Sequence, residues 1–165
     1  MARIVIADAS PLIILAQIEG LGWLRELFGQ VWITPVVRDE ILPGAGKPGE
    51  LNIQSAVDDG ILAVFDQSWE EPAMPTLDEG EASCIRAALA HAGDACLLIM
   101  DERLGRVIAA EHRLPVVGAA GLVGMAKMRG LIPSAAQVFE RLLQTDFRIA
   151  PEVIRGVLRK VGEQE

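Results

Sequence analysis

Short apolar segments alternate with segments of helical periodicity along the chain, and this alternation restricts the possible folds more than any other feature of the sequence. Strands that alternate with helices form right-handed βαβ units around a parallel sheet. The sequence therefore predicts an α/β protein with a three-layer α/β/α fold, a central parallel sheet of about five strands and a C-terminal helical extension. The five predicted strands cover residues 4–6, 31–33, 61–65, 96–100 and 114–117.

The composition is typical of a globular domain with an aliphatic core. The chain has 165 residues, of which 51% are hydrophobic and 4% aromatic. We expect one domain over residues 1–165, with an α/β core at 1–130 and a helical extension at 131–165. No apolar run approaches the roughly 20 residues of a membrane span, and the N-terminus has no secretion-signal pattern. A cytoplasmic protein without a membrane partner is therefore predicted, with Cys84 and Cys96 as buried thiols rather than a disulfide.

Charge is distributed unevenly along the chain. The net charge is −8, which argues against a general polyanion binder. Residues 1–100 contain five basic and fifteen acidic side chains, whereas residues 101–165 contain ten basic and eight acidic ones. This asymmetry is compatible with a cation-binding acidic cluster beside a basic flank, and equally with charge scattered over a solvated surface.

Two predicted helix starts combine a capping residue with a proline. Ser10 is predicted to cap the first helix, with Pro11 at its first helical position. The pair Thr34-Pro35 repeats the pattern after the second strand.

Carboxylates follow two of the predicted strands. Asp8 comes soon after the first strand and Asp101 directly after the fourth. The carboxyl ends of parallel strands meet at one edge of the sheet, where open α/β folds place their ligands. Glu81, in the first turn of the helix before the fourth strand, and Glu40, at the border of an apolar helix face, are two further candidates for this edge.

Each of these acids also has a local interpretation. Asp8 can accept hydrogen bonds from the start of the next helix, and Asp101 can be the N-cap of the helix that follows it. Glu81 stands three residues after Asp78, as in a capping box, and Glu40 fits an ordinary amphipathic helix. Four acids on one sheet edge, however, require a cation or a shared proton to be tolerated.

Such a cluster suits a hard divalent cation. Mg²⁺ takes oxygen ligands and retains several waters, so few carboxylates and the substrate's own phosphates are sufficient. Two ions about 4 Å apart can activate a water and stabilise the leaving oxygen of a phosphodiester. Other chemistries have little support, because His91 and His112 both fall late in predicted helices. In addition, the chain has no G-x-S-x-G or P-loop motif, and no G-x-G-x-x-G follows the first strand.

Five short motifs follow one another along the chain: IADASPL at 6–12, PVVRDEI at 35–41, LDEGEA at 77–82, LLIMDERLGR at 97–106 and GLIPS at 130–134. In this order and spacing they resemble the motifs of the PIN-domain family of metal-dependent nucleases. The resemblance spans nearly the whole chain, and its C-terminal part is similar to a poorly characterised branch of predicted nucleic-acid-binding proteins akin to VapC toxins.

The resemblance implies a PIN-like fold with Mg²⁺ or Mn²⁺ in an acidic pocket. It implies an Mg/Mn-dependent endoribonuclease, in which an ion-activated water cleaves the phosphodiester bonds of RNA. Carried over by motif, Asp8, Glu40, Glu81 and Asp101 are the catalytic carboxylates, with Asp8, Asp101 and Glu81 holding metal. Ser10 either adds a hydroxyl contact or only caps its helix. Members of the toxin branch pair with an antitoxin and are often homodimers.

The chain departs from the toxin pattern in two places. Asp101 and Glu102 stand where many toxins have an asparagine-containing segment, so they compete for the last carboxylate role. No acid follows the fifth predicted strand, at residues 118–121. Arg103 and Arg106 are candidates to steer an RNA backbone, and each fits a surface or helix-pairing role as well.

Two other functions compete with the ribonuclease hypothesis. One is a non-catalytic nucleic-acid- or protein-binding module that retains the PIN fold. The other is a phosphotransfer receiver, but the chain lacks the paired acids after the first strand and the lysine after the fifth that this class requires.

Overall fold

The computed structural model describes residues 3–91 and 95–164. Its strands are β1 (Arg3–Ala7), β2 (Val31–Ile33), β3 (Leu62–Val64), β4 (Ala95–Ile99) and β5 (Val116–Val117). Its helices are α1 (Ala9–Gln17), α2 (Leu21–Phe28), α3 (Pro35–Ile41), α4 (Glu50–Asp58), α5 (Glu79–Ala90), α6 (Arg103–Glu111), α7 (Ala119–Met128), α8 (Ala135–Leu143) and α9 (Pro151–Lys160).

The five strands form one sheet in the order β3-β2-β1-β4-β5, and every pair is parallel. The predicted three-layer α/β/α architecture is therefore confirmed. From β1 the chain builds the sheet in one direction through β2 and β3, and α5 then carries it back to β4 on the other side of β1. This reversal creates a topological switch point between β1 and β4, next to which open sheets bind their ligands.

The β1–β4 pairing fixes which residues reach that point. Ala7 pairs with Ile99, and the Asp8 backbone N–H extends the ladder by donating to the Ile99 carbonyl at 2.9 Å. Asp8 and Asp101 thus leave the sheet at the same edge from adjacent strands.

Burial explains why the central strands lack a polar face. Ile6 of β1 and the pair Leu98 and Ile99 of β4 are fully buried, because helices cover both faces of the sheet. Cys84 and Cys96 are also buried, and residues 3–91 and 95–164 contain no disulfide. No helix in this part of the chain is both long and apolar enough to cross a bilayer.

One of the two predicted helix starts differs from the structure. The prediction that Ser10 caps α1 is wrong: α1 begins at Ala9, with extended Asp8 in the N-cap position. Pro11 is accommodated in the first turn because backbone N–H groups there have no intrahelical acceptor. The second prediction, Thr34 as the cap of α3, is confirmed, since its side chain accepts from the Val37 N–H at 3.2 Å.

The C-terminal helices pack on the α/β layers through α7, which contacts both α8 and α9. Phe139 and Leu142 of α8 are buried in this packing. The sequence pattern predicts a helix over residues 134–146, but α8 ends at Leu143 and residues 144–150 form an irregular connection to α9.

Candidate functional site

Three of the predicted site acids lie together at the carboxyl edge of the sheet. Asp8 follows β1 and is 4% exposed, and Glu81 in the first turn of α5 is 5% exposed. Glu40, near the end of α3, is exposed, yet its carboxylate reaches the same place. A Cβ added at Gly80 would lie 2.7 Å from Glu40 Oε1 and 3.3 Å from Asp8 Oδ1. The structure therefore brings together carboxylates from three separate segments.

The pKa values of these three carboxyls reflect burial and mutual repulsion. Burial, together with the charges of Asp78, Glu40 and Glu102, raises the pKa of Asp8 to about 6 against the opposing effect of the Ala9 backbone N–H. Burial raises the pKa of Glu81 to about 7, with Asp78 and Asp8 as the next causes. Like charges held this close favour protonation, and an added cation would favour the ionised forms.

Glu40 follows the same pattern as its neighbours. Burial is the larger cause of its raised pKa, and the charge of Asp78 is the smaller one. Five residues thus share one electrostatic environment, and we refer to them as the acidic cluster: Asp8, Glu40, Asp78, Glu81 and Glu102.

Asp78 is a member of the acidic cluster that the sequence did not predict as a site residue. Its Oδ1 accepts from the Glu81 N–H at 2.9 Å, so Asp78 is the N-cap of α5. The Glu81 side chain lies near Gly105, where an added Cβ would be 3.5 Å from Glu81 Oε2. The local interpretation is therefore correct for Asp78, while the Glu81 side chain faces the cluster.

Asp101 has a different environment. Its Oδ1 accepts from the Ala119 N–H at 2.9 Å, which ties the end of β4 to the start of α7. Its Oδ2 is buried and has no hydrogen-bond partner among the described residues. Burial raises the Asp101 pKa, while the Ala119 N–H and the charge of Arg106 lower it. The interpretation of Asp101 as the N-cap of α6 is wrong, because Glu102 occupies that position.

Glu102 stands between Asp101 and the rest of the acidic cluster. Its charge raises the pKa of Asp8, Glu81 and Asp101. Of the other supporting candidates, Ser10 is half-buried in the first turn of α1, and Arg106 projects from α6 toward Asp101.

Glycines provide the space that these carboxylates occupy. An added Cβ would lie 2.7 Å from Glu40 Oε1 at Gly80, 2.6 Å from Met100 Sδ at Gly105, and 2.6 Å from Asp101 Oδ1 at Gly118. Real Cβ atoms essentially never come within 3.0 Å of another heavy atom. Sequence reasoning missed these three glycines, although each lies in or near a stretch that carries a predicted acid or follows a predicted strand.

A buried hydroxyl pair joins α3 to α5 beneath the acidic cluster. Thr34 Oγ1 and Ser83 Oγ are 2.7 Å apart, and Ser83 Oγ donates to the Gly80 carbonyl at 2.7 Å. Because the Ser83 proton is used on Gly80, Thr34 donates to Ser83. This chain of hydrogen bonds holds the helix that carries Glu40 against the helix that carries Glu81.

The donor chemistry of the site fits a hard divalent cation. All of its candidate ligands are carboxylate oxygens, which Mg²⁺ and Mn²⁺ prefer over sulfur, and Asp101 contributes one buried oxygen without a partner. Within residues 3–91 and 95–164, no group of three or more His, Cys, Asp or Glu side chains is already arranged to hold an ion.

A match to a known protein family covers almost the whole chain. The family model DUF3368, a PIN domain, matches residues 4–163. No match was found among curated proteins. The matched range includes the whole acidic cluster and Asp101.

Proposed function

Since the chain belongs to the PIN-domain family, a nuclease-type fold that generally uses divalent metal ions, we propose that it is a metal-dependent endoribonuclease. Its reaction is the hydrolysis of RNA phosphodiester bonds with Mg²⁺ or Mn²⁺. The observation that carries this proposal is the acidic cluster at the carboxyl edge of the sheet, where burial and repulsion raise the pKa values of Asp8, Glu40 and Glu81.

The proposed roles follow from the position of each carboxylate. Asp8, Glu81 and Asp101 would hold the ion, with Glu102 as an alternative to Asp101, and Glu40 is the fourth catalytic carboxylate. When bound, a divalent cation offsets the charge of these groups and polarises water and phosphate for hydrolysis. Several buried carboxylates without such a charge cannot all ionise near neutral pH.

The chain's own proton chemistry supports the same role. Without a cation, a pKa of about 7 leaves Glu81 partly protonated at neutral pH, and a bound cation would favour the ionised form that serves as a ligand. Arg106, exposed on α6 beside Asp101, is placed to attract the phosphate of a substrate. Ser10 is proposed only as a hydroxyl contact at the start of α1.

The second candidate function is a non-catalytic module that binds nucleic acid or protein and retains the PIN fold. It is favoured by one observation: no group of three or more potential ligands is prearranged around an ion position in the described part of the chain.

The remaining proposals concern the cellular setting. We infer a toxin of a toxin–antitoxin pair, acting as a homodimer in the cytoplasm, from the family and from the two buried cysteine thiols. We also propose that residues 1–165 form one domain, supported by the packing of α8 and α9 on α7.

The test is cleavage of labelled single-stranded RNA with Mg²⁺ or Mn²⁺. We expect cleavage by wild type to fall by at least about 100-fold in Asp8→Asn and Asp101→Asn, and to be unchanged in Glu140→Gln, an exposed acid on α8. No cleavage by wild type, with metal-insensitive RNA binding, would favour the non-catalytic module. For the toxin role, overexpression should arrest growth and Asp8→Asn should relieve the arrest.

A further inference from the structure

A cavity adjoins the acidic cluster at Glu102 and combines acidic, basic and apolar side chains. It has a volume of about 430 Å³ and opens at the carboxyl end of β5, between α6 and the irregular segment 144–150. Asp101 and Glu102 line the side nearest the acidic cluster. We call this cavity the arginine cleft, defined by Asp101, Arg106, Val117, Phe147, Arg148 and Val153.

The walls of the arginine cleft combine two guanidinium groups with apolar surface. Arg106 enters from α6 and Arg148 from segment 144–150, and both side chains are exposed. Phe147 and Val153, from the same segment and from α9, supply an aromatic ring and an aliphatic side chain. Arginine recognises phosphate with bidentate hydrogen bonds, and an aromatic face stacks on a nucleic-acid base of any sequence.

The segment that carries Phe147 and Arg148 is held by its own hydrogen bonds. Thr145 Oγ1 donates to the Leu142 carbonyl at 2.6 Å and accepts from the Phe147 N–H at 3.2 Å. This turn ends α8 and directs the chain across the mouth of the cleft before Pro151 begins α9.

We infer that the arginine cleft binds one nucleotide of single-stranded RNA, next to the bond that the acidic cluster hydrolyses. Arg106 and Arg148 contact the phosphate and Phe147 stacks on the base. A cavity of 430 Å³ is within the size range of small-ligand sites. Because the chain carries a net charge of −8, attraction of a polyanion must be local. Arg106 and Arg148 are the cationic groups that line this cleft, and its two acids, Asp101 and Glu102, lie on the side nearest the acidic cluster. The inference rests on the proposed ribonuclease function and names where its substrate lies.

The experiment measures binding separately from cleavage. A fluorescein-labelled oligouridine is titrated by anisotropy in EDTA, over a series of salt concentrations. We expect Arg148→Gln to weaken binding about five- to tenfold and to reduce the slope of log K against log salt by about 0.7, the value for one lost phosphate contact on a single strand. Phe147→Leu is expected to weaken binding at least about fivefold with an unchanged slope.

The matched control is Arg159→Gln, which removes the same charge from an exposed position on α9 outside the cleft. We expect this variant to change binding less than twofold. Equal effects of Arg148→Gln and Arg159→Gln would overturn the proposal, because the binding would then follow general charge. Circular dichroism melts verify that each variant folds, and Arg148→Gln keeps the test valid if the half-buried Phe147 is needed for folding.

The two proposals fail in different ways. If Mg²⁺ or Mn²⁺ supports Asp8-dependent cleavage but the cleft variants bind RNA like wild type, the ribonuclease function is supported and RNA binding in the arginine cleft is ruled out. If the cleft variants lose RNA binding while no metal supports cleavage, RNA binding in the cleft is supported and the ribonuclease function is ruled out. If wild type binds no RNA in EDTA or in Ca²⁺, the proposal that the arginine cleft binds RNA is wrong.

Discussion

Two regions of the sheet's carboxyl edge, one beside the central strand β1 and one beside the edge strand β5, differ in the charges that they bring together. The acidic cluster beside β1 gathers like charges, two of them on buried side chains, and the pKa values of Asp8, Glu40 and Glu81 are raised there. The arginine cleft beside β5 mixes two acids with two exposed arginines and an aromatic ring. The difference supports a division of work, because a cation would favour the ionised forms of the acidic cluster, whereas the arginines of the cleft suit a phosphate directly. Asp101 and Glu102 belong to the boundary between the two sides.

The largest expected effect concerns the pH dependence of stability in metal-free protein. The Asp8 pKa is about 6 in the folded protein and 3.8 in the unfolded chain. Between these two pH values the folded state therefore retains a proton that the unfolded state releases. Stability from this group is therefore complete below about pH 4 and is lost as pH rises through 6. The difference amounts to about 3 kcal/mol.

Denaturant unfolding in EDTA checks this expectation by comparing wild type with Asp8→Asn. The variant should be more stable than wild type by up to about 3 kcal/mol at pH 8, and the gain should disappear near pH 4. Glu140→Gln should give no pH-dependent difference. A variant that is less stable than wild type at every pH would mean that burial and neighbouring charges do not destabilise the ionised Asp8 carboxylate.

The next effect is stabilisation by the cation itself. An ion that binds the folded state adds about 2.7 kcal/mol to the free energy of unfolding at 100 times its dissociation constant. We expect Mg²⁺ or Mn²⁺ to raise the unfolding midpoint of wild type at pH 8 and to leave Asp8→Asn unchanged. Arg148→Gln should respond like wild type, because its charge belongs to the cleft. A similar response from Asp8→Asn would break the contrast between the two sides.

The position of Asp8 and Asp101 at one sheet edge could be predicted from the sequence, whereas the lining of the arginine cleft could not, for a physical reason. Asp8 and Asp101 follow apolar strands, and the direction of a parallel sheet places such residues at one edge whatever the details of packing. The contact of Asp101 with Ala119, and the turn that brings Phe147 and Arg148 to β5, depend on how distant segments pack. Helical periodicity predicts that this helix continues to residue 146. In the structure α8 ends at Leu143, because the Thr145 side chain closes a turn by donating to the Leu142 carbonyl.

A substitution at Gly118 is expected to cost more stability than one at Gly80. At Gly118 the added Cβ meets Asp101 Oδ1 at 2.6 Å, and that oxygen is held by the Ala119 N–H. At Gly80 it meets the end of the exposed Glu40 side chain, which can move away. We expect Gly118→Ala to lower the free energy of unfolding by about 1–3 kcal/mol. Gly80→Ala should affect metal-dependent cleavage more than stability.

Chemical denaturation of both variants distinguishes these outcomes, with Gly156→Ala as the control. Gly156 lies within α9 and an added Cβ meets nothing within 4 Å, so alanine there should stabilise by up to about 1 kcal/mol. Equal losses at Gly118 and Gly80 would show that Glu40 is as firmly held as Asp101.

The smallest expected effect is at the hydroxyl pair beneath the acidic cluster. Ser83→Ala removes the acceptor of the Thr34 hydroxyl and the donor to the Gly80 carbonyl, which should cost about 1–2 kcal/mol of stability. Because Ser83 joins the helices that carry Glu40 and Glu81, the cleavage rate should fall while RNA binding in EDTA stays at the wild-type level. Ser55→Ala, an exposed serine on α4, is the control for the loss of a hydroxyl. Weaker RNA binding by Ser83→Ala would instead mean that the acidic cluster and the arginine cleft are mechanically coupled through Gly80 and α5.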